Sequence, residues 1–307
     1  MAFAEIYDRQ VSLLVSVLPV VGKESCFALK GGTAINLFVR DLPRLSVDID
    51  LAYLPIAPRE KSLAEVEKAL GRIAEGVRQR LPDAEVTETR LQREGSVYKL
   101  VVARHRAHVV IEVTPVLRGC VFESGVRRVQ QSVEDKYGFA EISVLSFADL
   151  YGGKVVAALD RQHPRDLFDI HVLFENEGLT GNVRAAFIVY LVSHNRPMHE
   201  ILAPRLRDLK LEFERGLVGM TRDEVDISSL VAARDRLITE AVWQMSPEHK
   251  RFLLTFERGT PDWGLLDVAR AAELPAIQWR MRNLESLDVA RRQFLTDELE
   301  TVLARTS

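Results

Sequence analysis

The chain has 307 residues, a formal net charge of −3 and 47% hydrophobic residues, so it is long enough and apolar enough to form a hydrophobic core. The near-neutral charge excludes a strongly basic nucleic-acid coat but is compatible with a local basic groove. Cys26 and Cys120 have no metal-binding spacing and are expected to be reduced thiols. The apolar stretch 11–21 is too short to span a bilayer, and we expect a cytoplasmic protein.

The N-terminal half alternates between predicted helices and strands. The apolar spacing over residues 4–20 predicts a helix that ends at Pro19, and SCFALKGG predicts a short buried strand that ends in glycine. TAINLF predicts a helix with Thr33 as its N-cap, and VDIDLAYL alternates as a strand does. REKSLAEVEKALGRIAEGVRQRL is an amphipathic helix, and three strand patterns follow it: AEVTETRLQ, SVYKLVVAR and HVVIEVTPV.

The second half of the chain is predicted to be helical. SFADLYGGKVVAALDR predicts a helix with Ser146 as its N-cap, and HPRDLFDIHVLFENEG predicts another with Pro164 in its first turn. From about residue 182 onward the pattern is helical and is interrupted only by prolines. The sequence therefore predicts an α+β fold, with a mixed sheet in a domain over residues 1–180 and an all-helical domain over 181–307.

Two aspartates interrupt an otherwise apolar strand. Because side chains alternate across a strand, Asp48 and Asp50 are expected on one face and the apolar residues between them on the other. Two neighbouring carboxylates repel each other unless a cation lies between them, and Mg²⁺ is commonly bound by one or two carboxylates together with substrate phosphates. Glu112, a lone acid in the apolar strand HVVIEVTPV, is the predicted third carboxylate of such a metal site.

A glycine turn precedes these aspartates. Gly31, Gly32 and Thr33 lie between a predicted strand and a predicted helix, where backbone N–H groups can approach a phosphate closely. An ordinary tight turn is the alternative for the glycines alone. The turn followed sixteen residues later by the aspartate pair is a more specific signal than either feature by itself.

The two later helices add a lysine and two aspartates. Lys154 is suited to bind phosphates as a point charge, and a solvated helix lysine is the alternative interpretation. Arg165 either adds a second phosphate contact or pairs with Asp166, and pairing is the favoured interpretation. Basic residues that could contact RNA phosphates, or simply form solvated faces, occur in two groups: Arg90, Arg93, Lys99, Arg104 and Arg106, and Arg280, Arg282, Arg291 and Arg292.

Three segments together resemble the AbiEii/AbiGii toxin family, the MenT-like nucleotidyltransferase toxins of bacterial toxin–antitoxin and phage-defence systems. The segments are KGGTAINLF…RLSVDIDL, SFADLYGGKVVAALDRQHPRDLFDIHVLF and LPAIQWRMRNLESL, and they extend over most of the chain. The resemblance implies the polymerase-β-like nucleotidyltransferase fold for the N-terminal domain. It also implies a role for each residue that matches a family motif.

The resemblance assigns the metal-binding D-x-D motif to Asp48 and Asp50, and the small hydroxyl before it to Ser46. It assigns the triphosphate-binding helix lysine to Lys154, and the last catalytic acid to Asp169 or Asp166, with Asp169 the better fit. The predicted catalytic set is Ser46, Asp48, Asp50, Lys154 and Asp169. The predicted nucleotide-binding set is Gly31, Gly32, Thr33, Lys154, Arg165 and Asp166. The predicted metal ligands are Asp48, Asp50 and Glu112.

The expected activity is the transfer of a nucleotide from an NTP, with Mg²⁺ or Mn²⁺, to the 3′ end of tRNA, which blocks translation. The resemblance also implies a cognate antitoxin encoded nearby, and we expect a monomer without membrane contact. Two alternatives stay open. The acceptor could be a protein, including this chain at Ser46, or the chain could be a non-catalytic NTP-binding scaffold.

Overall fold

A computed structural model describes residues 5–305 of the chain. Its contacts divide the chain into two compact units, which are described separately. Unit 1 comprises Met1–Ser146 and Val218–Glu224, and unit 2 comprises Phe147–Leu217 and Val225–Ser307. The domain boundary predicted at residue 180 stays a prediction, and the two helices between residues 147 and 180 are described with unit 2 because their contacts assign them to it.

Unit 1 is built on a mixed β-sheet, which confirms the predicted fold class. The strands among the described residues are β1 (Phe27–Lys30), β2 (Asp48–Tyr53), β3 (Glu85–Arg90), β4 (Val97–Arg104), β5 (Ala107–Val113), β6 (Gly125–Arg128) and β7 (Glu141–Val144). They form one sheet in the order β3-β4-β5-β2-β1-β7-β6. β2 runs parallel to β5 and β1 runs parallel to β7, while the other neighbours are antiparallel.

The helices of unit 1 pack against this sheet. They are α1 (Glu5–Val21), α2 (Gly31–Thr33, continued by a π-helical turn over Ala34–Val39), α3 (Arg59–Arg80) and α4 (Gln131–Tyr137). α1 contacts β5 and α3 contacts β4, so their apolar faces cover the sheet. The predicted end of α1 at Pro19 is wrong: the helix continues through the proline to Val21, and the buried side chains of Val20 and Val21 hold its last turn in the core.

The predicted N-cap at Thr33 is also wrong, because helix α2 begins at Gly31 and Lys30 is its N-cap. The sequence analysis did not predict β6, α4 or β7. Each of these elements is only four to seven residues long, and β6 has no buried residue that would give it an alternating pattern.

Unit 2 consists of helices in its described part, as predicted for the C-terminal region. They are α5 (Phe147–Arg161), α6 (Pro164–Asn176), α7 (Gly181–Val192), α8 (Met198–Leu202), α9 (Lys210–Gly216), α10 (Ile227–Ile238), α11 (Pro247–Glu257), α12 (Pro275–Ser286) and α13 (Val289–Leu303). Shorter turns lie at Thr239–Trp243, Trp263–Leu265 and Ala271–Glu273. α5 and α7 pack so closely that a Cβ at Gly152 would be 2.7 Å from Cβ of Ala186. No described helix combines the length and apolar character that a membrane span requires.

Candidate active site

Asp48 and Asp50 lie on the face of β2 that is opposite to Ile49 and Leu51. Ile49 and Leu51 are fully buried, whereas Asp48 is exposed and Asp50 is half-buried. This is the alternation that the sequence predicts, and it places both carboxylates on the same side of the sheet.

A row of charged residues crosses four strands at the level of Asp50. Lys30 of β1 is opposite Asp50, Asp50 is beside Glu112 of β5, and Glu112 is opposite Lys99 of β4. We call Asp48, Asp50 and Glu112 the acidic row. The parallel pairing of β2 with β5 brings the predicted third carboxylate next to the aspartate pair, as the metal hypothesis requires.

Glu112 forms a salt bridge with Lys99. The Nζ atom of Lys99 is 2.7 Å from Oε2 of Glu112. This hydrogen bond raises the pKa of Lys99 in spite of partial burial, and the negative charge of Asp48 contributes in the same direction. Lys99 therefore offsets part of the negative charge of the acidic row.

The acidic row fits a metal that is completed by substrate. Within residues 5–305, no group of three His, Cys, Asp or Glu side chains is arranged to hold a metal ion. Asp48 and Asp50 supply two hard oxygen ligands on one strand face, which is the protein contribution that Mg²⁺ commonly has when substrate phosphates supply the rest. Glu112 stays a predicted third ligand, and it would have to exchange its contact with Lys99 for the metal.

The glycine turn lies directly against the acidic row. Gly31 has φ +74°, and a Cβ at this position would be 2.5 Å from Oδ2 of Asp50. A Cβ at Gly32 would be 2.9 Å from both Nη2 of Arg44 and Oγ of Ser46. Gly31 is therefore needed for the backbone to pass this close to Asp50, and Gly32 leaves room for the side chains of Arg44 and Ser46.

Thr33 connects the turn to β2. Its Oγ1 donates a hydrogen bond of 2.5 Å to the backbone carbonyl of Asp48, and its side chain is buried. Asn36, one helical turn later, donates from Nδ2 to the carbonyl of Gly32 at 2.9 Å. The hydroxyl of Thr33 is thus used to fix the start of the aspartate strand.

A distant part of the chain supports the same region of unit 1. The segment Val218–Glu224 returns to this unit, where the N–H of Leu45 donates to the carbonyl of Met220 at 2.7 Å. Arg44 forms an isolated β-bridge with Thr221, and its guanidinium is buried. Arg44, which lies against Gly32, was not predicted as a site residue, because its proximity depends on this long-range contact.

Unit 2 contains the other predicted site residues in one buried cluster. Lys154 of α5 is 7% exposed, and its Nζ lies 2.8 Å from Oδ1 of Asp166 and 3.0 Å from Oδ2 of Asp169. Both aspartates are buried and lie one turn apart on α6. We call these three residues the lysine cluster. The two aspartates, which the sequence could not distinguish, both bind the same lysine.

Asp166 has a second cationic partner. The guanidinium of Arg161 donates to its carboxylate from Nε at 2.5 Å and from Nη2 at 3.0 Å. Burial alone would raise the pKa of Asp166, but the charges of Lys154 and Arg161 outweigh burial and hold that pKa well below its usual range. The favoured pairing of Asp166 with Arg165 is wrong, because Arg161 and Lys154 occupy the carboxylate.

Three of the arginines suggested as RNA contacts lie close to acidic side chains of the protein itself. On the strands, Arg90 pairs with Glu67 and Arg104 pairs with Asp83. In unit 2, the side chain of Arg280 is only 13% exposed and lies 3.6 Å from Oε1 of the buried Glu257. These contacts favour a structural role for three of the suggested arginines.

The structure thus assembles the predicted residues into two sets. Unit 1 brings together the glycine turn, Ser46 and the acidic row, and unit 2 brings together Lys154, Asp166 and Asp169. Sequence reasoning missed Arg44 and Arg161, and it assigned Lys99 only to a general basic face. Their importance follows from contacts across strands and between helices, which no local spacing reveals.

Comparison with known proteins identifies the family and the fold. The profile of the family described as "Nucleotidyl transferase AbiEii toxin, Type IV TA system" matches residues 12–283. Among solved structures, MenT4, a nucleotidyltransferase toxin from Mycobacterium tuberculosis H37Rv, superimposes with a TM-score of 0.61 at 16% sequence identity, covering 97% of this chain and 94% of that one. No curated protein matches the sequence. The matched profile extends through both the aspartate strand and the lysine cluster, and the chain belongs to the AbiEii family of nucleotidyltransferase toxins of toxin–antitoxin systems.

Proposed function

We propose that this toxin transfers a nucleotide from an NTP to the 3′ end of tRNA, in a reaction that depends on Mg²⁺ or Mn²⁺, and thereby blocks translation. The observation that carries the proposal is the acidic row beside the glycine turn. Two carboxylates lie on one strand face, and the backbone of Gly31 passes so close to Asp50 that an added Cβ would be 2.5 Å from its Oδ2. This is a place where a triphosphate and its metal can approach the protein.

The residues of unit 1 would bind and orient the nucleotide. Asp48 and Asp50 would hold the metal, which, when bound, neutralises charge on the triphosphate and favours departure of pyrophosphate. Gly31 and Gly32 would let the backbone approach the phosphates. Thr33 would keep Asp48 in position through its hydrogen bond to the carbonyl of that residue.

The lysine cluster would supply the remaining predicted roles. Lys154 is held by two carboxylates, so its ammonium has a fixed position and a fixed charge. In the proposal Lys154 contributes this charge to the triphosphate, and Asp169 is the catalytic acid residue. Asp166 would act as a positioning residue, because Arg161 and Lys154 already occupy its carboxylate. Arg165 stays a predicted nucleotide contact.

The acceptor is proposed to be RNA rather than this protein. Ser46, the hydroxyl considered for self-modification, is only 8% exposed and packs beside Gly32. A hydroxyl that must attack a phosphate needs access to it in an in-line arrangement. Protein label that disappears in Ser46→Ala would identify self-modification, whereas label in tRNA identifies the RNA acceptor.

The test is incubation of purified protein with total tRNA, Mg²⁺ and each α-labelled NTP in turn. Label in the tRNA band is expected with at least one NTP, and Asp48→Asn should reduce it by about 100-fold or more. Glu85→Gln, which removes an exposed carboxylate on the edge strand β3, is the matched control and should retain activity. Label that appears in the protein band, with none in tRNA, would refute the RNA acceptor.

A further inference from the structure

A second charged region of unit 1 lies at the opposite end of the aspartate strand. β2 begins at Asp48 and ends at Tyr53, and five steps along a strand extend about 17 Å. Beyond Tyr53 the chain leads to α3, which begins at Arg59. Arg118 follows β5 and returns to this place, because the N–H of Gly119 donates to the carbonyl of Tyr53 at 2.8 Å.

Arg118 is a buried cation without an ion pair among the described residues. Arg118 is only 8% exposed, and its Nε atom is buried without a hydrogen-bond partner. Its Nη1 atom donates to the carbonyl of Ala57 at 3.2 Å. A buried guanidinium without a carboxylate is costly, so this arrangement points to a missing anion.

The guanidinium is aimed at the N-terminus of a long helix. Ala57 immediately precedes Pro58, the N-cap of the 22-residue helix α3. Pro58 has no side-chain acceptor, so the N-cap residue itself makes no side-chain hydrogen bond to the first turn. The first N–H groups of a helix have no acceptor within the helix, and they carry the positive end of its dipole. A helix end of this kind normally attracts an anion.

A second arginine increases the positive charge at the same place. Arg59, the first residue of α3, donates to the carbonyl of Pro115, on the segment that leads to Arg118. Burial lowers the pKa of Arg118, and the nearby charge of Arg59 lowers it further. Glu94 pairs with Arg59 at 2.7 Å, and it makes no ion pair with Arg118. Glu60, in the first turn of α3, also carries negative charge, and among the described residues neither glutamate forms an ion pair with Arg118.

We propose that Arg118, Arg59 and the first turn of α3 form a binding site for a phosphate group, separate from the acidic row. We call it the Arg118 site. The guanidinium and the helix N–H groups are donors of the kind that phosphate oxygens accept, and within residues 5–305 Arg118 forms no salt bridge with an acid. The phosphate is either a free anion or a backbone phosphate of RNA, and the second source rests on the proposed function.

The first measurement is thermal unfolding of the full chain against inorganic phosphate, with chloride at matched ionic strength. A ligand that binds only the folded protein stabilises it increasingly with concentration, so the melting temperature should rise by roughly 2–4 °C at ten times the dissociation constant. Arg118→Met keeps much of the side-chain volume and should remove most of this rise. Arg72→Met, which loses an exposed arginine of α3 paired with Glu24, is the matched control and should retain it.

Pro58→Asp gives an independent test that does not disturb the buried arginine. The aspartate would place a carboxylate at the N-cap of α3, where it accepts from first-turn N–H groups. The variant should be more stable than the unmodified protein without phosphate, and its response to phosphate should be weaker. If phosphate raises the melting temperature equally in the unmodified protein, Arg118→Met and Pro58→Asp, the Arg118 site does not exist.

Whether the bound phosphate belongs to RNA is tested by measuring the binding of a labelled tRNA at several salt concentrations. If the site binds an RNA phosphate, Arg118→Met should weaken binding and reduce the slope of log K against log salt by about 0.7–0.9, the value for one phosphate contact. If the variant loses the phosphate response but binds tRNA with an unchanged slope, the site takes a free anion. Labelling of tRNA by the unmodified protein is measured in a separate assay. An absence of labelling would contradict the proposed function, whereas the phosphate response tests the Arg118 site.

Discussion

Replacing Lys154 by methionine should destabilise unit 2 strongly, because it leaves buried carboxylates without their shared cation. Asp166 and Asp169 are each about 1% exposed, and both bind Nζ of Lys154 within 3.0 Å. Removing one partner of a buried ion pair costs about 3–5 kcal/mol. Asp166 retains Arg161, which should offset part of the loss.

The loss should depend on pH in a defined direction. The charges of Lys154 and Arg161 hold the pKa of Asp166 below its ordinary value of 3.8, in spite of burial. The stability that this ion pair contributes is present above that ordinary value and is lost as pH falls through the lower folded-state pKa. The difference between the unmodified protein and Lys154→Met should therefore be largest near neutral pH and should shrink in acid, where the buried carboxylates accept protons.

The assay is thermal unfolding at several pH values, with a double variant as the decisive comparison. Lys154→Met should lower the melting temperature by roughly 2–4 °C per kcal/mol lost. Lys154→Met with Asp169→Asn removes one buried carboxylate together with the cation and should recover part of the stability without recovering activity. Lys210→Met, at an exposed position of α9, is the control and should change little.

Full stability of Lys154→Met at neutral pH would refute the assignment of a buried, charged lysine cluster. The stability of Lys154→Met also decides how a loss of toxicity in this variant is interpreted. A harmless Lys154 variant could be inactive because it is unfolded. The double variant, folded but inactive, assigns the loss of activity to the lysine cluster, because it lacks both Lys154 and the proposed catalytic residue Asp169.

Three further changes should have separate effects. Gly31→Ala should cost about 1–2 kcal/mol from its left-handed backbone alone, and it should abolish transfer because the new Cβ would be 2.5 Å from Oδ2 of Asp50. Thr33→Val should cost about 1 kcal/mol and lower kcat, because the hydrogen bond to the carbonyl of Asp48 is lost. Glu257→Gln should raise the melting temperature at pH 7, because burial raises the pKa of Glu257 despite the opposing charge of Arg280.

Controls and contrary outcomes accompany these changes. Gly153→Ala, in α5 with nothing near its added Cβ, should be tolerated and should stabilise the helix slightly. An active Gly31→Ala would show that the turn does not need to approach Asp50. A Thr33→Val variant with unchanged kcat would leave the hydroxyl a purely structural role. The gain from Glu257→Gln should disappear as pH falls toward 4.5, the ordinary pKa of glutamate, and a gain that persists in acid would contradict the argument.

The sequence determined the features of this protein that depend on local periodicity. Alternation in VDIDLAYL placed Asp48 and Asp50 on one strand face, and glycines before a helix marked the turn at Gly31. Helical spacing after residue 180 predicted the helical region, and the ordered motifs indicated the family. These signals are local because a strand repeats every two residues and a helix every 3.6.

Only the tertiary structure decided which groups meet. The parallel register of β2 and β5 sets Glu112 beside Asp50, and Lys99 reaches Glu112 from the other side of β5. The partners of Asp166 are Lys154 and Arg161 instead of its neighbour Arg165, because a helix directs adjacent side chains to different faces. Strand register and helix packing are fixed by contacts between residues far apart in the chain, so the aspartates were predictable from spacing and their partners were not.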